Sequence, residues 1–354
     1  MGDIRVLIVG LGNMGLCHAR AYRALEGFAI AGLCSRDIGA RADLTAEFPE
    51  APRFDDFAAA LAKLAPDAVS INTWPDTHAL YAKLALGAGC HVFIEKPLAT
   101  NVAEAEEVLA LAQSRKRKLV IGYILRVHPS WQKFIEIGRT LGKPLVMRMN
   151  LNQQSQGAQW GVHKRLMQSV SPIVDCGVHY LDVMCQATQA RPILVHAVGA
   201  RLSGEIAPQM KNYGHLHVAF DDGSVGWYEA GWGPMMSETA YFVKDMIGPN
   251  GSVSIVFDEA KAGSSDIDSH TKTSALRLHH AALNPLGAFA LNDELFAMAD
   301  EPGHQELCNR EQAMFLDAIR TDRDLAAHGQ DAVQSLRIAL AADESMRTGE
   351  VVRL

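Results

Sequence analysis

The octapeptide DCGVHYLD, near the middle of the chain, carries two carboxylates and an imidazole at helical spacing. Asp175, His179 and Asp182 stand four and then three residues apart, and such positions share one stripe of an α-helix. The stripe could hold a metal ion, because His and carboxylate ligands on adjacent turns suit such sites. It could also be an acid/base pair for catalysis, or a solvated face of an amphipathic helix. The stretch alone leaves these three interpretations open.

A glycine-rich loop follows the first apolar run, RVLIV, and opens a helical pattern. Strand, loop and helix in this order are the context in which GxGxxG binds a dinucleotide. The first glycine makes the turn, the second lets backbone N–H groups reach a pyrophosphate, and the third lets helix and strand pack closely. We therefore expect cofactor contacts at Gly10, Gly12, Asn13, Met14 and Gly15.

The end of the second predicted strand bears on the choice between NAD and NADP. An acidic residue roughly 20 positions after the glycine loop would bind the adenosine ribose of NAD. Ser35 stands where that acid is expected, and Arg36 follows it. An arginine can pair with a 2′-phosphate or stack on adenine, so the pattern favours NADP. Asp37 keeps NAD open, because a shift of the strand end by one residue would restore a carboxylate contact.

Two further motifs, INTWPDTH and FIEKP, stand where parallel strands should end. Ligands of open α/β sheets bind beyond the carboxyl ends of the strands, so both motifs should border the nicotinamide. A lysine at the end of a buried strand lies either at the surface or at a cleft. The proline after Lys96 restricts that lysine to extended geometry or permits a cis bond. Further cofactor contacts are expected at Thr73, Trp74, His78, Glu95 and Lys96.

The elements that must position these residues fall into two patterns. Residues 1–125 alternate β-rich runs (RVLIVG, FAIAGLC, AVSIN, HVFIE, LVIGYI) with helical stretches, which predicts a doubly wound parallel sheet. In residues 126–354, Ser171 and Pro172 are a helix start signal, and HLHVAF/VGWYEAGW and AYFVKDMIG/SVSIVF read as hairpins. The predicted fold class is α/β, with an N-terminal Rossmann domain and a C-terminal α+β domain that contains a largely antiparallel open sheet. The closing helices at 309–347 could pack on the first domain.

Composition disfavours several classes of function. The length of 354 residues suggests about two domains. The net charge of −7, from 33 basic and 40 acidic residues, disfavours nucleic acid or an anionic membrane as a partner. The first residues run into a strand and a glycine loop rather than a leader, so we expect a cytoplasmic protein.

The six cysteines form no CxxC pair and are expected to be reduced and mostly buried. His215 and His217 share a strand face, where a solvent-facing or pocket-lining pair is favoured over a metal site.

Taken together, the chain resembles the glucose-fructose oxidoreductase and inositol dehydrogenase family (Gfo/Idh/MocA) over nearly its whole length. The resemblance implies an NAD(P)-dependent oxidoreductase that transfers a hydride between the nicotinamide and a secondary alcohol or ketone of a sugar, sugar derivative or cyclic polyol. It also implies a homodimer or homotetramer formed through the exposed face of the second sheet. The residues that carry it are GLGNMG, Pro75 to His78, EKP at 95–97, GYILRVHP at 122–129 and VDCGVHYLD at 174–182, of which EKP with DxGxHxxD is the specific part.

The resemblance also implies roles for single residues. Lys96 matches the lysine that touches both the nicotinamide and the reacting hydroxyl, Asp175 the aspartate that holds the substrate, and His179 the general acid/base. Asp182 is then a supporting residue, and no metal is needed. Many members have Gly-Gly at the position of Ser171-Pro172, and Trp74 replaces a smaller residue, so the substrate stays open. Substrate contacts are expected at Lys96, Tyr123, Arg126, Trp160, His163, Asp175 and His179.

The chemistry of these side chains agrees with the implied roles. An imidazole suits proton transfer near neutral pH, and the ammonium of Lys96 would stabilise developing alkoxide charge. Two alternatives stay open: a redox-neutral sugar enzyme that retains NAD for transient oxidation, with glycoside cleavage or sugar–sugar exchange, and a non-catalytic regulator that senses NAD(P) or sugar. Lys96, Asp175 and His179 argue against the regulator, which needs no proton-transfer groups.

Overall fold

A computed structural model of the chain describes residues 2–236, 243–256, 273–299 and 301–354. The chain folds into two compact units, within each of which the residues contact one another closely in space. The first comprises residues 1–124 and 304–333, and the second comprises residues 125–303 and 334–354. Each helix in the described ranges is too short or too polar to traverse a lipid bilayer.

The first unit is built on a six-stranded sheet in which every pairing is parallel. The strands lie in the order β3-β2-β1-β4-β5-β6, which places β1 and β4 at the centre. The predicted Rossmann-type sheet is confirmed. The elements are β1 (Ile4–Val9), α1 (Asn13–Ala24), β2 (Phe28–Cys34), α2 (Ala42–Glu47), β3 (Arg53–Phe54), α3 (Phe57–Leu64), β4 (Ala68–Ile71), α4 (Pro75–Gly87), β5 (His91–Glu95), α5 (Val102–Ser114) and β6 (Leu119–Gly122).

The predicted strands of this unit are confirmed to within a few residues, because apolar runs such as VLIV are buried on both faces of a parallel sheet. One strand and one helix were not predicted, namely β3 and α3. β3 has only two residues and carries no β-type pattern of its own. The start of α3 is signalled by Asp56, whose side chain accepts a hydrogen bond of 2.7 Å from Ala59 N.

The core of the first unit is closed by a helix from the far end of the chain. The closing helices are α10 (His304–Arg320) and α11 (Ala326–Thr348), and α10 packs against α1. Phe315 on α10 is fully buried and its ring stacks on Phe28 of β2 at 6.1 Å. The same cluster holds Tyr22 and Phe93, so helix α10 completes the hydrophobic core under the sheet.

The second unit is built on a nine-stranded sheet in the order β14-β13-β12-β11-β7-β10-β9-β8-β15. β7 and β10 pair in parallel, and the other pairings are antiparallel, as predicted for most of this sheet. Its elements are α6 (Pro129–Thr140), β7 (Val146–Gln154), α7 (Gly157–Leu166), α8 (Pro172–Asp175), α9 (Gly177–Thr188), β8 (Pro192–Ala200), β9 (Tyr213–Phe220), β10 (Val225–Gly233), β11 (Lys244–Gly248), β12 (Gly251–Val256), β13 (Ala275–His280), β14 (Glu294–Ala297) and β15 (Val352–Arg353).

Helices α6, α8 and α9 pack on this sheet. Both predicted hairpins form: β9 pairs with β10 and β11 pairs with β12. The predicted beginning of the second hairpin, at 240–242, lies outside the described residues. The opposite face of β9 carries half-buried His215 and exposed His217 with their rings 6.1 Å apart.

Candidate active site

The glycine loop joins β1 to α1 and shows which glycines the fold itself requires. Gly10 has φ +83°, and its N–H donates to the Cys34 carbonyl at 2.9 Å. A Cβ on Gly15 would lie 1.8 Å from the Gly10 carbonyl oxygen, so that helix and strand can pack only without a side chain there. At Gly12, by contrast, no atom of the described chain lies within 4 Å of a Cβ position. The loop is therefore closed at its ends and open in the middle, where a ligand would approach.

The turn after β2 places the residues that bear on cofactor choice. β2 ends at Cys34, Ser35 is half-buried, and Arg36 and Asp37 are exposed. The Ser35 hydroxyl donates to the Asp37 carboxylate, and this hydrogen bond lowers the pKa of Asp37. The structure adds Arg41, which sequence reasoning missed: its Nη1 donates to the Leu11 carbonyl of the glycine loop at 2.8 Å. The signal for Arg41 was a second arginine shortly after the strand.

The ends of β4 and β5 lie beside the glycine loop in the same sheet. Val9 is level with Ile71, and Ile71 with Ile94, so the residues after these strands emerge at one edge. His78 is buried, with Nδ1 2.7 Å from the Pro97 carbonyl oxygen and Nε2 3.0 Å from that of Thr73. Burial lowers the pKa of His78. The imidazole thus ties the ends of β4 and β5 together, while its expected contact with a cofactor stays a prediction.

Lys96 follows β5 directly and is half-buried, and Trp74, just after β4, is half-buried as well. The backbone N–H of Lys96 donates to Glu95 Oε2 at 3.3 Å, and the peptide bond between Lys96 and Pro97 is cis, one of the two geometries that the sequence allowed. Glu95 is buried and its Oε1 lies 2.7 Å from His18 Nε2.

Two polar residues that sequence reasoning missed hold Glu95 in place. Gln312 Nε2 lies 2.9 Å from His18 Nδ1, and because the amide nitrogen donates, Nδ1 accepts. His18 Nε2 therefore carries the proton and donates to Glu95. Both residues are fully buried on helices, and neither had a recognisable motif around it.

In the second unit, the DCGVHYLD stretch forms two helices rather than the single one predicted. α8 ends at Asp175, Cys176 intervenes, and α9 begins at Gly177. The N–H of His179 bonds to the Cys176 carbonyl three residues back, at 3.2 Å, which tightens the chain at the junction. The predicted start signal is confirmed: Ser171 caps Val174 N at 3.1 Å and Pro172 is the first helical residue.

The three polar side chains of this stretch differ in their surroundings. Asp175 is buried and His179 half-buried, so the interpretation as a solvated helix face is wrong. Asp182 is buried and accepts from Arg126 Nε at 2.9 Å and Nη2 at 2.6 Å, and from Gln186 Nε2 at 2.6 Å. This bidentate pair gives Asp182 the supporting role expected and fixes the guanidinium of Arg126.

The remaining predicted substrate residues have the following positions. Tyr123 lies in the first unit, is buried, and its hydroxyl donates to the Ala332 carbonyl at 3.3 Å. His163 stacks on Trp232 with ring centroids 4.4 Å apart, and Trp160 belongs to the same buried cluster as Trp232 and Cys176. Within the second unit, the fold therefore brings Trp160 and His163 close to the residue that follows Asp175.

Gln153 and Trp232 join this cluster without having been predicted. Gln153 Oε1 accepts from Trp232 Nε1 at 2.6 Å and from the Cys176 thiol at 3.4 Å. Cys176 Sγ in turn lies 3.7 Å from Asp175 Oδ2. A chain of polar contacts from β10 and β7 thus reaches Asp175. The residues paired between these two strands are 79 positions apart in sequence and left no local signal.

Comparison with known proteins agrees with this architecture. The model of the Gfo/Idh/MocA oxidoreductase family with its NAD-binding Rossmann fold matches residues 4–123, and that of its C-terminal alpha/beta domain matches residues 135–354. The chain is 33% identical to UDP-N-acetylglucosamine 3-dehydrogenase of Acidithiobacillus ferrooxidans over 56% of this chain and 59% of that protein. It is 28% identical to D-glucoside 3-dehydrogenase of Escherichia coli over 51% of this chain and 52% of that protein. The matches thus span only about half to three fifths of the length of these relatives.

A solved structure shares the fold over nearly the full length. GenD2 from gentamicin A biosynthesis, in complex with NAD, superposes with a TM-score of 0.78 at 20% identity, covering 100% of this chain and 97% of that one. At this identity the likeness concerns the fold alone. The two family models together extend over both units of the chain. The chain therefore belongs to the Gfo/Idh/MocA family of oxidoreductases with an NAD-binding Rossmann fold.

Proposed function

We propose that this protein is an NAD(P)-dependent dehydrogenase or reductase that acts on a secondary alcohol or ketone of a sugar, sugar derivative or cyclic polyol. The observation that carries the proposal is the position of Lys96 directly after β5. The sheet register places this strand end beside those of β1 and β4, which lead into the glycine loop and into Thr73 and Trp74. In such sheets the ligand binds at this edge.

The residues of the glycine loop fit a dinucleotide. Gly12 leaves open space, and the N–H groups of the first turn of α1, beginning at Asn13, have no acceptor within the helix. These groups and the positive end of the helix dipole would hold a pyrophosphate. When bound, the nicotinamide supplies the acceptor or donor of the hydride.

We assign the chemical steps to three residues of this chain. In the oxidising direction, His179 Nε2 or Nδ1 accepts the proton from the hydroxyl oxygen, and the carbon that bears this hydroxyl loses a hydride, so that a ketone forms. The ammonium of Lys96 stabilises negative charge that develops on the substrate oxygen. Asp175 accepts a hydrogen bond from a substrate hydroxyl and so orients the sugar ring. In the reducing direction the same groups act in reverse.

The relatives support the substrate class. The two named above are 3-dehydrogenases of a nucleotide-linked amino sugar and of a glucoside. The aromatic residues Trp160 and His163 beside Cys176 are side chains of the kind that pack against sugar rings. We keep Arg126 and Tyr123 in the substrate-binding set as a proposal, although both also bind partners within their own units.

We further propose that NADP is preferred to NAD. Ser35 stands at the strand end where an acid would bind a free ribose, and Arg36 beside it is exposed. A second arginine, Arg41, also lies next to the loop, where it is anchored on the Leu11 carbonyl and paired with Asp43. Arg36→Ala should therefore weaken NADPH more than NADH in fluorescence titrations, and an equal loss for both would contradict the preference.

The activity is tested by following nicotinamide absorbance with NAD and NADP separately, against aldoses, inositols, glycosides and their keto forms. Lys96→Met and His179→Ala should bind cofactor normally but turn over at least about 100-fold more slowly, as lost acid/base assistance predicts. Lys83→Met, which removes a surface ion pair with Glu107, and His217→Ala on the exposed sheet face are the matched controls.

Each alternative has its own outcome in this assay. Cofactor that stays bound through purification without net turnover would indicate a redox-neutral sugar enzyme or the non-catalytic regulator. Unchanged turnover in both Lys96→Met and His179→Ala would refute the assignment of the catalytic residues.

We also propose a homodimer or homotetramer. The support is the exposed apolar surface of the segment around β14, where Leu286 is 92% exposed and Leu295 64%. Apolar surface of this kind is typical of an interface. Light scattering after gel filtration should give a mass that is a multiple of 38.4 kDa, and the double variant Leu286→Glu/Leu295→Glu should have a lower mass.

We also propose a cytoplasmic location, which fits six free thiols and is tested by cell fractionation.

A further inference from the structure

Sulfur and nitrogen side chains converge between α1 and α10, directly behind the glycine loop. Met14 and Cys17 stand three residues apart on α1, and His304 and Cys308 four apart on α10, so each pair shares a helix face. Because α1 packs against α10, the two faces meet within the first unit. These four residues are called the thiol–imidazole cluster below.

The distances within the cluster match those between ligands of one metal ion. His304 Nε2 lies 3.2 Å from the Met14 sulfur and 3.7 Å from Cys308 Sγ. One ligand atom each from Cys17, His304 and Cys308 lie within 4.8 Å of one another. In a tetrahedral zinc site, bonds of about 2.3 Å to sulfur and about 2.05 Å to nitrogen separate the two ligand atoms by about 3.6 Å.

We propose that the thiol–imidazole cluster binds a thiophilic divalent ion, Zn²⁺, through Cys17 Sγ, Cys308 Sγ and His304 Nε2. The Met14 thioether or a water molecule completes the tetrahedron. Two thiolates neutralise the charge of the ion, and soft ligands of this type select zinc over magnesium or calcium. The ion takes no part in the proposed hydride transfer, which needs no metal, although Met14 is also an expected cofactor contact.

The types of side chain in the cluster favour the ion. Cys17, Cys308 and His304 supply two thiols and an imidazole, which is a ligand set found in zinc sites. Thiolate is the form that binds the ion, so binding should release protons from the cluster.

A second group around the same thiol, formed by His18, Cys308 and Glu311, is less suited to a metal. Both ring nitrogens of His18 are engaged, by Glu95 and by Gln312. Burial and the charge of Glu95 raise the pKa of Glu311, which disfavours its carboxylate form. Cys17 and His304 are half-buried rather than buried, which leaves the first group a path for an ion.

The test uses the purified full chain, freed of metal with a chelator and kept reduced. Titration with Co²⁺ should produce the charge-transfer absorption of a Co²⁺–thiolate centre at one equivalent, and Zn²⁺ should abolish it. Cys308→Ser and His304→Ala should lower the affinity at least about 100-fold, because loss of an outer partner alone costs 10- to 100-fold. His304 is half-buried and is the first residue of α10, so His304→Ala should fold normally. This variant keeps the test decisive if Cys308→Ser fails to fold.

Cys90→Ser is the matched control, because Cys90 lies buried in the same unit and its thiol donates to the Pro66 carbonyl at 3.1 Å. It should retain full Co²⁺ absorption. The proposal is overturned if the wild type gives no thiolate band, or if Cys308→Ser binds Co²⁺ with the affinity of the wild type. A Cys17–Cys308 disulfide that forms under oxidant, with no ion bound by the reduced protein, would also overturn it. Turnover of sugar substrates is scored separately, so that the two proposals fail independently.

Discussion

Asp182→Ala should destabilise the second unit strongly, because it removes the carboxylate at the centre of a buried polar network. Asp182 is 1% exposed and Arg126 11% at their side chains, and the two form a bidentate pair. Gln186 donates to the same carboxylate. In the variant, the guanidinium of Arg126 loses two charge-assisted hydrogen bonds and stays in a largely dry environment.

The magnitude follows from this geometry. Removing one partner of a buried ion pair costs about 3–5 kcal/mol, because the remaining charge is left uncompensated. Arg126→Met should cost a similar amount, since Gln186 is then the remaining side-chain donor to Asp182 among the described residues. The double variant Arg126→Met/Asp182→Leu leaves neither charge buried and should be less destabilised than the two single variants together, with a coupling of about 1–3 kcal/mol.

Urea unfolding followed by tryptophan fluorescence suits this measurement, because Trp131, Trp160, Trp227 and Trp232 all lie in the second unit and Trp74 alone in the first. Arg191→Met is the matched control, as its ion pair with Asp221 is exposed on both sides and should contribute less than about 1 kcal/mol. Losses below about 1 kcal/mol in both single variants, or simple additivity in the double variant, would refute the reasoning.

Three further predictions concern the glycine loop and two ionisable side chains, Asp343 and Lys244. Gly12→Ala should leave the melting temperature unchanged yet weaken NAD(P) binding, whereas Gly15→Ala should lower the melting temperature itself. Thermal scans with and without cofactor separate the two effects. An equal fall in melting temperature for both variants would contradict this difference. Burial raises the pKa of Asp343 from 3.8 to about 6, so the folded state binds this proton more tightly than the unfolded state. The stabilisation of the folded state that results is complete below a pH of about 4 and is lost as the pH rises through 6. Relative to Asp343→Asn, the wild type should therefore lose stability across that window in urea titrations, and parallel curves would refute it. Burial lowers the pKa of Lys244 from 10.5 to about 7, so the folded protein loses stability as the pH falls from 10.5 towards 7. Lys244→Met should therefore be about 1–4 kcal/mol more stable than the wild type at neutral pH. An unchanged midpoint of urea unfolding would count against this.

Local patterns in the sequence were sufficient for much of the fold. Apolar runs of four to seven residues predicted β1, β2, β4 and β5, because strands buried on both faces need no alternation. The cap at Ser171 was equally local, since a hydroxyl and the N–H three residues later suffice for it.

The rest depended on contacts between distant residues. The hydrogen bond from His18 to Glu95 spans 77 positions and that from Gln312 to His18 spans 294, so no window of sequence contains the network. The need for glycine at 177 likewise depends on tertiary packing: a Cβ there would lie 2.9 Å from the ring of Tyr228 on β10. Periodicity alone could not reveal that helix α9 approaches the sheet so closely.

The placement of α10 in the first unit has a consequence for synthesis on the ribosome. Residues 1–124 emerge first, but Phe315, which covers Phe28 in their core, is translated about 190 residues later. Burial of one such ring stabilises the folded state by about 1.5–3 kcal/mol. The nascent first unit lacks this contribution and exposes an apolar surface until almost the whole chain has been made. During that interval the growing polypeptide should depend on chaperones. A fragment that ends near residue 124 would remain in that unfinished state permanently.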